Sequence, residues 1–427
     1  MKRVILLKWN LWVRLATVTT LLILLSGCEL ISDPKGLMQL PQLPSDKQTL
    51  SSTIQAALPP GAKLANPKNG NANDWIQQAD LDGDGKMEAI AFYTTSDARI
   101  NGMIFEQSGS DWVKKRDIEG QGYVLESVEI KDITHDGHKD LIVGYSNAIN
   151  TINSGVDSMQ KNLVIYSYDK GELNIVDKKP YTYYEILDMN GDGIDDLTTM
   201  YMSRNSYLTI TNFRYKDGFQ EVDSIDLDST ITLGFYNVVS GKVSKDQNGI
   251  IMDQLLGISS GFTHLIIMEN NKLRDVFPLG RAATFKDSLI YSDDVNGDGL
   301  LEIGMLQIPL GWENIEPSEI PYFTYYYQWD GDNGLKLVSQ QYRDDSGRFV
   351  LKFAPEWNDK ITLDTKSNKD QDLRFILKDT GEKVAEVRFF TSTQWANQAS
   401  KDWELITNSN DQYIALWQNT KNNLILN

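Results

Sequence analysis

The chain has 427 residues, 41% of them hydrophobic, and a formal net charge of −18. Such acidity disfavours binding to nucleic acid and to anionic lipid headgroups, because both repel a negatively charged surface. With a single cysteine, Cys28, the chain has no internal disulfide.

The amino terminus has the pattern of a secretory signal. A basic segment with Lys2, Arg3, Lys8 and Arg14 precedes a short apolar core over residues 15–25. This core is shorter than the about 20 apolar residues of a membrane-spanning helix. It ends in Leu25-Ser-Gly-Cys28, which resembles the lipobox of bacterial lipoproteins. The resemblance implies cleavage after residue 27 and a diacylglyceryl group on Cys28; the alternative is a buried structural cysteine.

Residues 1–27 are therefore predicted to be a lipoprotein signal peptide, and their loss changes the net charge from −18 to −22. Two acyl chains anchor a protein stably, so we expect it on the extracytoplasmic side of a bacterial cell membrane. Residues 28–62 are the predicted lipid anchor and tether. They contain five prolines, which favour an extended spacer, and a short helix is predicted over 51–58, before Pro59 and Pro60.

Four acidic loops follow, each with oxygen side chains at loop positions 1, 3, 5 and 9 and glycine at position 6. Hard cations such as Ca²⁺ take about six to eight oxygen ligands, and glycine permits the sharp turn that gathers them. We therefore predict Ca²⁺ as the cofactor. The candidate ligands are Asp80, Asp82, Asp84 and Glu88 in loop 1; Asp132, Thr134, Asp136 and Asp140 in loop 2; Asp188, Asn190, Asp192 and Asp196 in loop 3; and Asp294, Asn296, Asp298 and Glu302 in loop 4.

The alternative for each loop is a metal-free turn, since Asp, Asn and Gly favour turns in any case. This alternative has most weight in loop 2, where Thr134 replaces a carboxylate or amide. We expect loops 1, 3 and 4 to bind Ca²⁺ and loop 2 to bind it more weakly, because ligand charge tunes affinity.

The loops are not EF-hands, because none has the glutamate that an EF-hand requires at position 12. Short apolar runs after each loop are typical of strands, so each loop is predicted to join two strands. Their first residues are 52, 56 and 106 positions apart, and a degenerate unit without metal fits near residue 244. A period near 50 residues favours an all-β fold, a β-propeller of about five or six blades over residues 63–345.

The acidic loops resemble those of FG-GAP/VCBS-type repeats, the calcium-loop blades of integrin-α-like propellers, over roughly residues 74–342. This resemblance implies that the side chains at positions 1, 3, 5 and 9 are metal ligands. It also implies a backbone carbonyl ligand at position 7. The Phe-Gly and Gly-Ala-Pro signatures of the integrin repeats are absent, so integrin-like ligand recognition is not carried over.

No acidic loop of this kind is recognised after residue 345. Four runs typical of strands lie between residues 348 and 390, a helix is predicted from Thr391 to Lys401, and a last strand covers residues 411–417. These elements predict a small carboxyl-terminal α+β domain over residues 346–427. The alternative is a final, unusual blade.

Catalysis has little support in the sequence. The segment Gly257-Ile-Ser259-Ser-Gly261 fits the nucleophile elbow of hydrolases, but strand-like runs flank it on both sides and only His264 follows it. A hairpin turn is therefore the favoured interpretation. The aromatic residues Tyr325, Tyr327 and Trp329 share one strand face and are expected to pack between blades; a carbohydrate platform is the alternative.

These patterns favour a binding module for a surface glycan, peptide or protein, with no catalytic residue assigned. A propeller-based polysaccharide lyase or hydrolase, and a structural envelope lipoprotein, are the alternatives. A cleft with converging acids and bases would favour the enzyme, whereas an exposed aromatic patch without such acids would favour binding.

The lipid anchor gives the first prediction. Cys28→Ala should abolish acylation and leave either an uncleaved precursor or a released protein, because the thiol that receives the lipid is gone. Metabolic labelling with a radiolabelled fatty acid measures this directly. Unchanged labelling of the variant would show that Cys28 is not the lipid site.

Overall fold

The computed structural model describes residues 45–69, 75–147, 161–202, 207–227, 234–278, 282–397, 402–409, 411–419 and 425–426. The predicted signal peptide, Cys28 and residues 29–44 of the tether lie outside this part of the chain. Among the described residues, none of the helices combines the length and the apolar character that a bilayer crossing requires.

The chain divides into two compact units, residues 1–58 with 107–114 and residues 59–106 with 115–427. In the first unit, helix α1 spans Ser45–Ala57 and so begins earlier than the predicted 51–58. Leu50 and Ile54 are four residues apart on one helix face, and both are buried. Pro59 and Pro60 follow the helix, and proline cannot donate the backbone hydrogen bond that would continue it.

The strands of the described residues form six antiparallel sheets, which confirms the predicted all-β class. Sheet 1 contains β1 (Lys63–Leu64), β2 (Ile76–Ala79), β3 (Glu88–Thr94), β4 (Ile100–Ser108) and β5 (Asp111–Ile118). Sheet 2 contains β6 (Val124–Lys131), β7 (Asp140–Ser146), β8 (Lys161–Asp169) and β9 (Glu172–Tyr181). Sheet 3 contains β10 (Tyr183–Leu187), β11 (Asp196–Met202), β12 (Leu208–Tyr215) and β13 (Phe219–Leu227).

The remaining three sheets follow in chain order, apart from one strand at the carboxyl terminus. Sheet 4 contains β14 (Phe235–Ser244), β15 (Gln247–Leu255), β16 (Gly261–Glu269), β17 (Lys272–Asp275) and β18 (Phe285–Lys286). Sheet 5 contains β19 (Ile303–Gln307), β20 (Phe323–Trp329), β21 (Leu335–Arg343), β22 (Val350–Phe353) and β28 (Ile425–Leu426). Sheet 6 contains β23 (Ile361–Leu363), β24 (Asp372–Leu377), β25 (Lys383–Thr391), β26 (Glu404–Ser409) and β27 (Gln412–Gln418). Helix α2 (Ser392–Asn397) and short 3₁₀ helices at Ala282–Thr284, Pro317–Glu319 and Pro355–Trp357 complete the elements.

Consecutive sheets pack against each other through hydrophobic clusters. Strand β7 shows why its sequence is a continuous apolar run: Leu141, Val143 and Tyr145 belong to the cluster shared with sheet 1. Ile142, which points to the opposite face, belongs to the cluster shared with sheet 3. Further clusters join sheets 3 and 4, sheets 4 and 5, and sheets 5 and 6. Both faces of such a strand are therefore buried, and alternation of polar and apolar residues is lost.

Sheet 4 has no acidic loop between its first two strands. Ser244 at the end of β14 pairs directly with Gln247 at the start of β15, so the predicted degenerate unit near residue 244 is a tight two-residue hairpin. Ser259 lies in the turn between β15 and β16, with strands on both sides. The helix that a nucleophile elbow needs does not follow Ser259, and the hairpin interpretation is correct.

The boundary predicted between residues 345 and 346 lies within the second unit. Strand β22 pairs with β21 of sheet 5, so the chain crosses this boundary inside a sheet. One hydrophobic cluster contains Phe323 and Tyr342 from before the boundary and Phe375 and Leu416 from after it. Strand pairing and hydrophobic packing therefore both continue across the predicted boundary, and whether residues 346–427 fold as a separate domain stays a prediction. The predicted helix is present over residues 392–397, and β26 was missed.

The shared cluster gives the second prediction. Phe375 is fully buried against Phe323, Tyr342 and Phe353. Phe375→Ala should lower the free energy of unfolding by about 3–5 kcal/mol, because it removes a buried ring and leaves a cavity. Denaturant unfolding should show this loss in the main transition of the second unit. The control is Phe285→Ala at a half-exposed ring in β18, which should cost much less; a separate, early transition in Phe375→Ala would instead indicate an independent domain.

Candidate functional site

The acidic loops occupy the same place in four sheets. Loops 1, 2 and 3 each join two antiparallel strands of one sheet, as predicted: β2 to β3, β6 to β7 and β10 to β11. Loop 4 precedes β19, and the bridge between Asp293 and Glu302 stands in for the first strand. Neighbouring loops also bond to each other: the Lys139 amide donates to the Leu81 carbonyl at 3.1 Å. His135 Nε2 lies 3.1 Å from the carbonyl of Asp195. Loops 1, 2 and 3 therefore form one continuous rim, here called the loop rim.

All four loops share a backbone geometry. The glycine amide at position 6 donates to the carboxylate at position 1 over 2.7–3.1 Å. The amide at position 7 donates to the carboxylate at position 5 over 2.8–2.9 Å. The position 6 glycines have φ between 83° and 90°, a left-handed conformation that favours glycine. Hydrogen bonds within each loop and the glycine at position 6 therefore hold the turn without a bound ligand.

Loop 1 gathers carboxylates around one point. Oxygen atoms of Asp80, Asp82 and Glu88 lie within 4.8 Å of one another. Asp80 Oδ1 is buried and has no hydrogen-bond partner. An orphaned carboxylate oxygen beside two further carboxylates fits a hard cation, which would take several oxygens at once. Asp84 turns away, with its Oδ2 2.6 Å from Lys86 Nζ.

Loop 4 gathers Asp294, Asp298 and Glu302 within the same 4.8 Å limit. The amide of Asn296 donates to Asp298 Oδ2 at 3.0 Å and to Glu302 Oε1 at 3.2 Å. Gln328 from β20 donates to the same two oxygens at 2.8 Å. The donor set is again oxygen-rich and fits Ca²⁺.

In loops 1 and 4, the glutamate at position 9 is buried close to other carboxylates, and this raises its pKa. Burial, with the nearby Asp charges, raises the pKa of Glu88 from 4.5 to about 7. Burial with the charges of Asp298 and Asp294 likewise raises the pKa of Glu302 to about 7. A backbone amide donates to each, from Leu81 at 2.7 Å and Val295 at 2.9 Å, and lowers the pKa only in part. These carboxyls favour a neutral form unless a positive charge is nearby.

Loop 2 differs, as Thr134 suggests. Asp132 Oδ1 is buried without a partner, like Asp80 Oδ1 in loop 1. The Thr134 hydroxyl, however, donates to Asp140 Oδ2 at 3.0 Å, and the Ile133 and Thr134 amides bond to the same oxygen. Asp136 is exposed. The structure does not gather three acidic ligands here.

A positively charged side chain from a neighbouring strand reaches loop 3, and the sequence did not predict it. Arg214 of β12 donates from Nε to Asp196 Oδ1 at 3.0 Å and from Nη2 to Asp196 Oδ2 at 3.3 Å. The predicted ligands Asp188, Asn190 and Asp192 are bound to loop amides and to one another. The structure thus brings predicted ligands of loops 1 and 4 together into groups that could hold a metal ion. In loop 3, Arg214 binds the predicted ligand Asp196 instead.

A pocket of about 760 Å³ lies at the other end of the same strands. The first strands of sheets 2, 3 and 4 line it through their amino-terminal halves, whereas the acidic loops follow the carboxyl ends of β6 and β10. Its polar and aromatic wall includes Glu126, Ser127, Glu129, Lys161, Tyr181, Tyr183, Tyr184, Glu185, Tyr236 and Asn237. No sequence motif marks this pocket, because its residues come from strands about 55 positions apart.

Internal contacts hold the pocket side chains in place. Ser146 Oγ donates to Glu126 Oε1 at 2.6 Å, and Lys161 Nζ lies 3.5 Å from Glu126 Oε2. The same Nζ is 5.7 Å from the ring centroids of both Tyr181 and Tyr183. Burial raises the pKa of Glu185 to about 7, although Ser240 donates a hydrogen bond to it.

A buried network supports the pocket from below. Asp253, which is fully buried, accepts hydrogen bonds from Asn237 Nδ2 at 2.9 Å and from Lys286 Nζ at 2.7 Å. Thr263 and Ser292 donate to the same carboxylate at 2.6 and 2.9 Å. A carboxylate held by this many donors fixes the pocket residue Asn237 in one orientation.

Comparison with known proteins gives no family. No protein-family model matches the chain, and no curated protein matches it. The exotype rhamnogalacturonan lyase YesX aligns with 72% of this chain and 73% of its own, at 10% identity and a TM-score of 0.33. A Bacillus licheniformis rhamnogalacturonan lyase aligns over 75% and 71%, at 11% identity and a TM-score of 0.29. A Pseudomonas aeruginosa periplasmic gluconolactonase aligns over 66% and 77%, at 13% identity and 0.28. Likeness this weak assigns neither fold nor function to the chain.

The raised pKa values give the third prediction. In chelator, Glu88 and Glu302 stay protonated to about pH 7 when folded, but only to about pH 4.5 when unfolded. The folded state binds more protons between these limits, so their contribution to the free energy of unfolding falls as the pH rises through this window. As the pH rises from about 5 to about 8, the melting temperature of the double variant Glu88→Gln/Glu302→Gln should therefore increase relative to that of the wild type.

Added Ca²⁺ should reverse this difference at the higher pH. Metal that binds only the folded wild type adds about 2.7 kcal/mol per site at a hundredfold excess over its dissociation constant, and the double variant should gain far less. Melting curves in chelator and in millimolar CaCl₂ give both quantities. A wild-type melting temperature that ignores both pH and Ca²⁺ would contradict the metal assignment.

Proposed function

We propose that this protein is a lipid-anchored extracytoplasmic binding module, a β-propeller stabilised by Ca²⁺ in its acidic loops, whose pocket takes a glycan. The observation that carries the proposal is the polar pocket of about 760 Å³ shared by the first strands of three consecutive sheets. The lipobox at Cys28 supports the anchor. The convergent carboxylates of loops 1 and 4 support the metal.

The propeller is supported by how the sheets succeed one another. In the described part of the chain, six antiparallel sheets follow in chain order, and hydrophobic clusters join each one to the next. The first strands of sheets 2, 3 and 4 face a common pocket, and loops 1, 2 and 3 meet along the loop rim. Consecutive sheets with a shared pocket and a shared loop edge support an arrangement as propeller blades.

The chemistry of the pocket favours a glycan that is neutral or carries an amine. Three acidic side chains, Glu126, Glu129 and Glu185, outnumber the two lysines Lys68 and Lys161 in the wall, and Glu185 with its raised pKa is partly ionised at neutral pH. An anionic ligand would be repelled, whereas sugar hydroxyls can donate to carboxylates and accept from lysine or tyrosine. Tyr183 and Tyr236 add aromatic surface, and such mixed walls are typical of small-ligand pockets.

Catalysis by the same pocket is the second candidate. One observation favours it: Glu185 has a pKa of about 7, the range in which a carboxyl exchanges protons near neutral pH. A propeller-based lyase or hydrolase would use this group as its acid or base. Binding is preferred because Glu126 is held by Ser146 and Lys161, and Glu185 is held by Ser240.

The pocket gives the fourth prediction. A glycan array probed with the full-length protein in detergent should select neutral or amino sugars over uronic acids. Glu129→Gln and Glu185→Gln should each weaken binding of the selected glycan about tenfold, since a hydrogen bond to a charged acceptor contributes about 1.5–3 kcal/mol. Glu221→Gln, at an exposed position in β13, is the matched control and should bind like wild type.

Two results would decide against this proposal. Selection of uronic acids by the array would contradict the ligand class. Cleavage of the bound glycan by wild type, lost in Glu185→Gln and retained in Glu221→Gln, would establish the second candidate in place of simple binding.

A further inference from the structure

One position in the neighbouring strand faces each acidic loop. Strand register places Glu106 opposite Glu88 at position 9 of loop 1. Extending the register of the other sheets by one residue places Ser167 opposite Asp140, Arg214 opposite Asp196 and Gln328 opposite Glu302. This position, here called the facing residue, carries a negative, a neutral, a positive and a neutral side chain in loops 1 to 4.

The facing residues of loops 3 and 4 approach the same two loop positions. In loop 4, Gln328 Nε2 lies 2.8 Å from both Asp298 at position 5 and Glu302 at position 9. In loop 3, Arg214 bonds to Asp196 at position 9, and its Nη2 lies 3.7 Å from Asp192 Oδ2 at position 5. Both loops also have Asn at position 3 and Asp at positions 1 and 5. Among these ligand positions the loops differ only at position 9, which is Asp196 in loop 3 and Glu302 in loop 4; beyond them they differ in the charge of the facing residue.

We propose that the Arg214 guanidinium takes the place of the metal ion in loop 3, so that loop 3 is neutralised from within and does not bind Ca²⁺. Asp196 is fully buried, and both of its oxygens are bound by Arg214. Arginine is always charged and its planar fork matches a carboxylate. A divalent ion entering the loop would be repelled by this fixed positive charge. It would also find the ligand at loop position 9, Asp196, already bound to Arg214. The inference rests on the proposed function, because it concerns which of the acidic loops take metal.

Sheet 6 offers an independent parallel. Its first two strands are joined by residues 364–372, which keep Asp364, Asn368 and Asp372 at positions 1, 5 and 9 but have Lys366 at position 3. Asp372 forms an ion pair with Arg374, and the facing residue in β25 is Arg388. As in loop 3, a basic side chain pairs with the carboxylate at position 9. Unlike loop 3, this loop no longer has all the residues of the metal-binding pattern.

The test exchanges the facing residues of loops 3 and 4. Arg214→Gln gives loop 3 the side chain of loop 4, and Gln328→Arg does the reverse; Arg214→Lys keeps the positive charge and is the matched control. Equilibrium dialysis of the full-length protein in detergent against calcium counts bound ions per chain. Melting temperatures in chelator and in millimolar CaCl₂ give a second readout that does not depend on any activity.

Relative to wild type, Arg214→Gln should bind one more Ca²⁺ per chain, and Gln328→Arg one fewer. In chelator, Arg214→Gln should melt lower than wild type, because Asp196 is left buried without its partner, and Ca²⁺ should restore it. Arg214→Lys should bind the wild-type number of ions. If Arg214→Gln fails to fold in chelator, Gln328→Arg alone still decides the matter.

The outcomes separate this inference from the proposed function. Calcium binding by wild type with no change in either exchange variant would overturn the role of Arg214 and leave the function intact. No binding by wild type but one ion bound by Arg214→Gln would support the role of Arg214 and refute the metal in the other loops. Binding by neither protein would overturn both.

Discussion

Carboxylates held a few ångströms apart by a tight turn repel one another, and every acidic loop in this chain has to offset that repulsion. In all four loops, the backbone amides at positions 6 and 7 offset part of the repulsion by donating hydrogen bonds to the carboxylates. The remaining repulsion is offset in three ways: by protonation or a cation at Glu88 and Glu302, by a threonine hydroxyl at Asp140, and by a guanidinium at Asp196. The loops share a backbone while their side chains solve one electrostatic problem in different ways.

The solution matters beyond the loops because each one starts a buried strand. Glu88, Asp140 and Asp196 are the first residues of β3, β7 and β11, strands in which most residues are buried. The bond from Lys139 to Leu81 also ties one loop to the next. Charge balance on the loop rim and packing between sheets are therefore physically coupled through the same few residues.

The sequence predicted those parts of the fold that depend on local chemistry. Loop spacing located the starts of the sheets, and the apolar runs located the second strands, because turn residues and strand composition are local signals. Arg214 escaped prediction because it lies 18 residues after Asp196, whereas Gln328 lies 26 residues after Glu302. Only strand register shows that they are equivalent. The sheet nearest the carboxyl terminus was not recognised as a further repeat because residues 364–372 have Lys369 where the other loops have glycine and Lys366 where they have Asp, Thr or Asn.

The pocket and the loop rim lie at opposite ends of the first strands of sheets 2 and 3. This separation has a consequence for how the protein tolerates change. Substitutions around Glu129 or Tyr183 alter the pocket without touching a carboxylate of the acidic loops, so the pocket can diversify while the loop framework is preserved. If the acidic loops bind Ca²⁺ as proposed, the effect of Ca²⁺ on the melting temperature would report correct folding in any library in which the pocket has been redesigned.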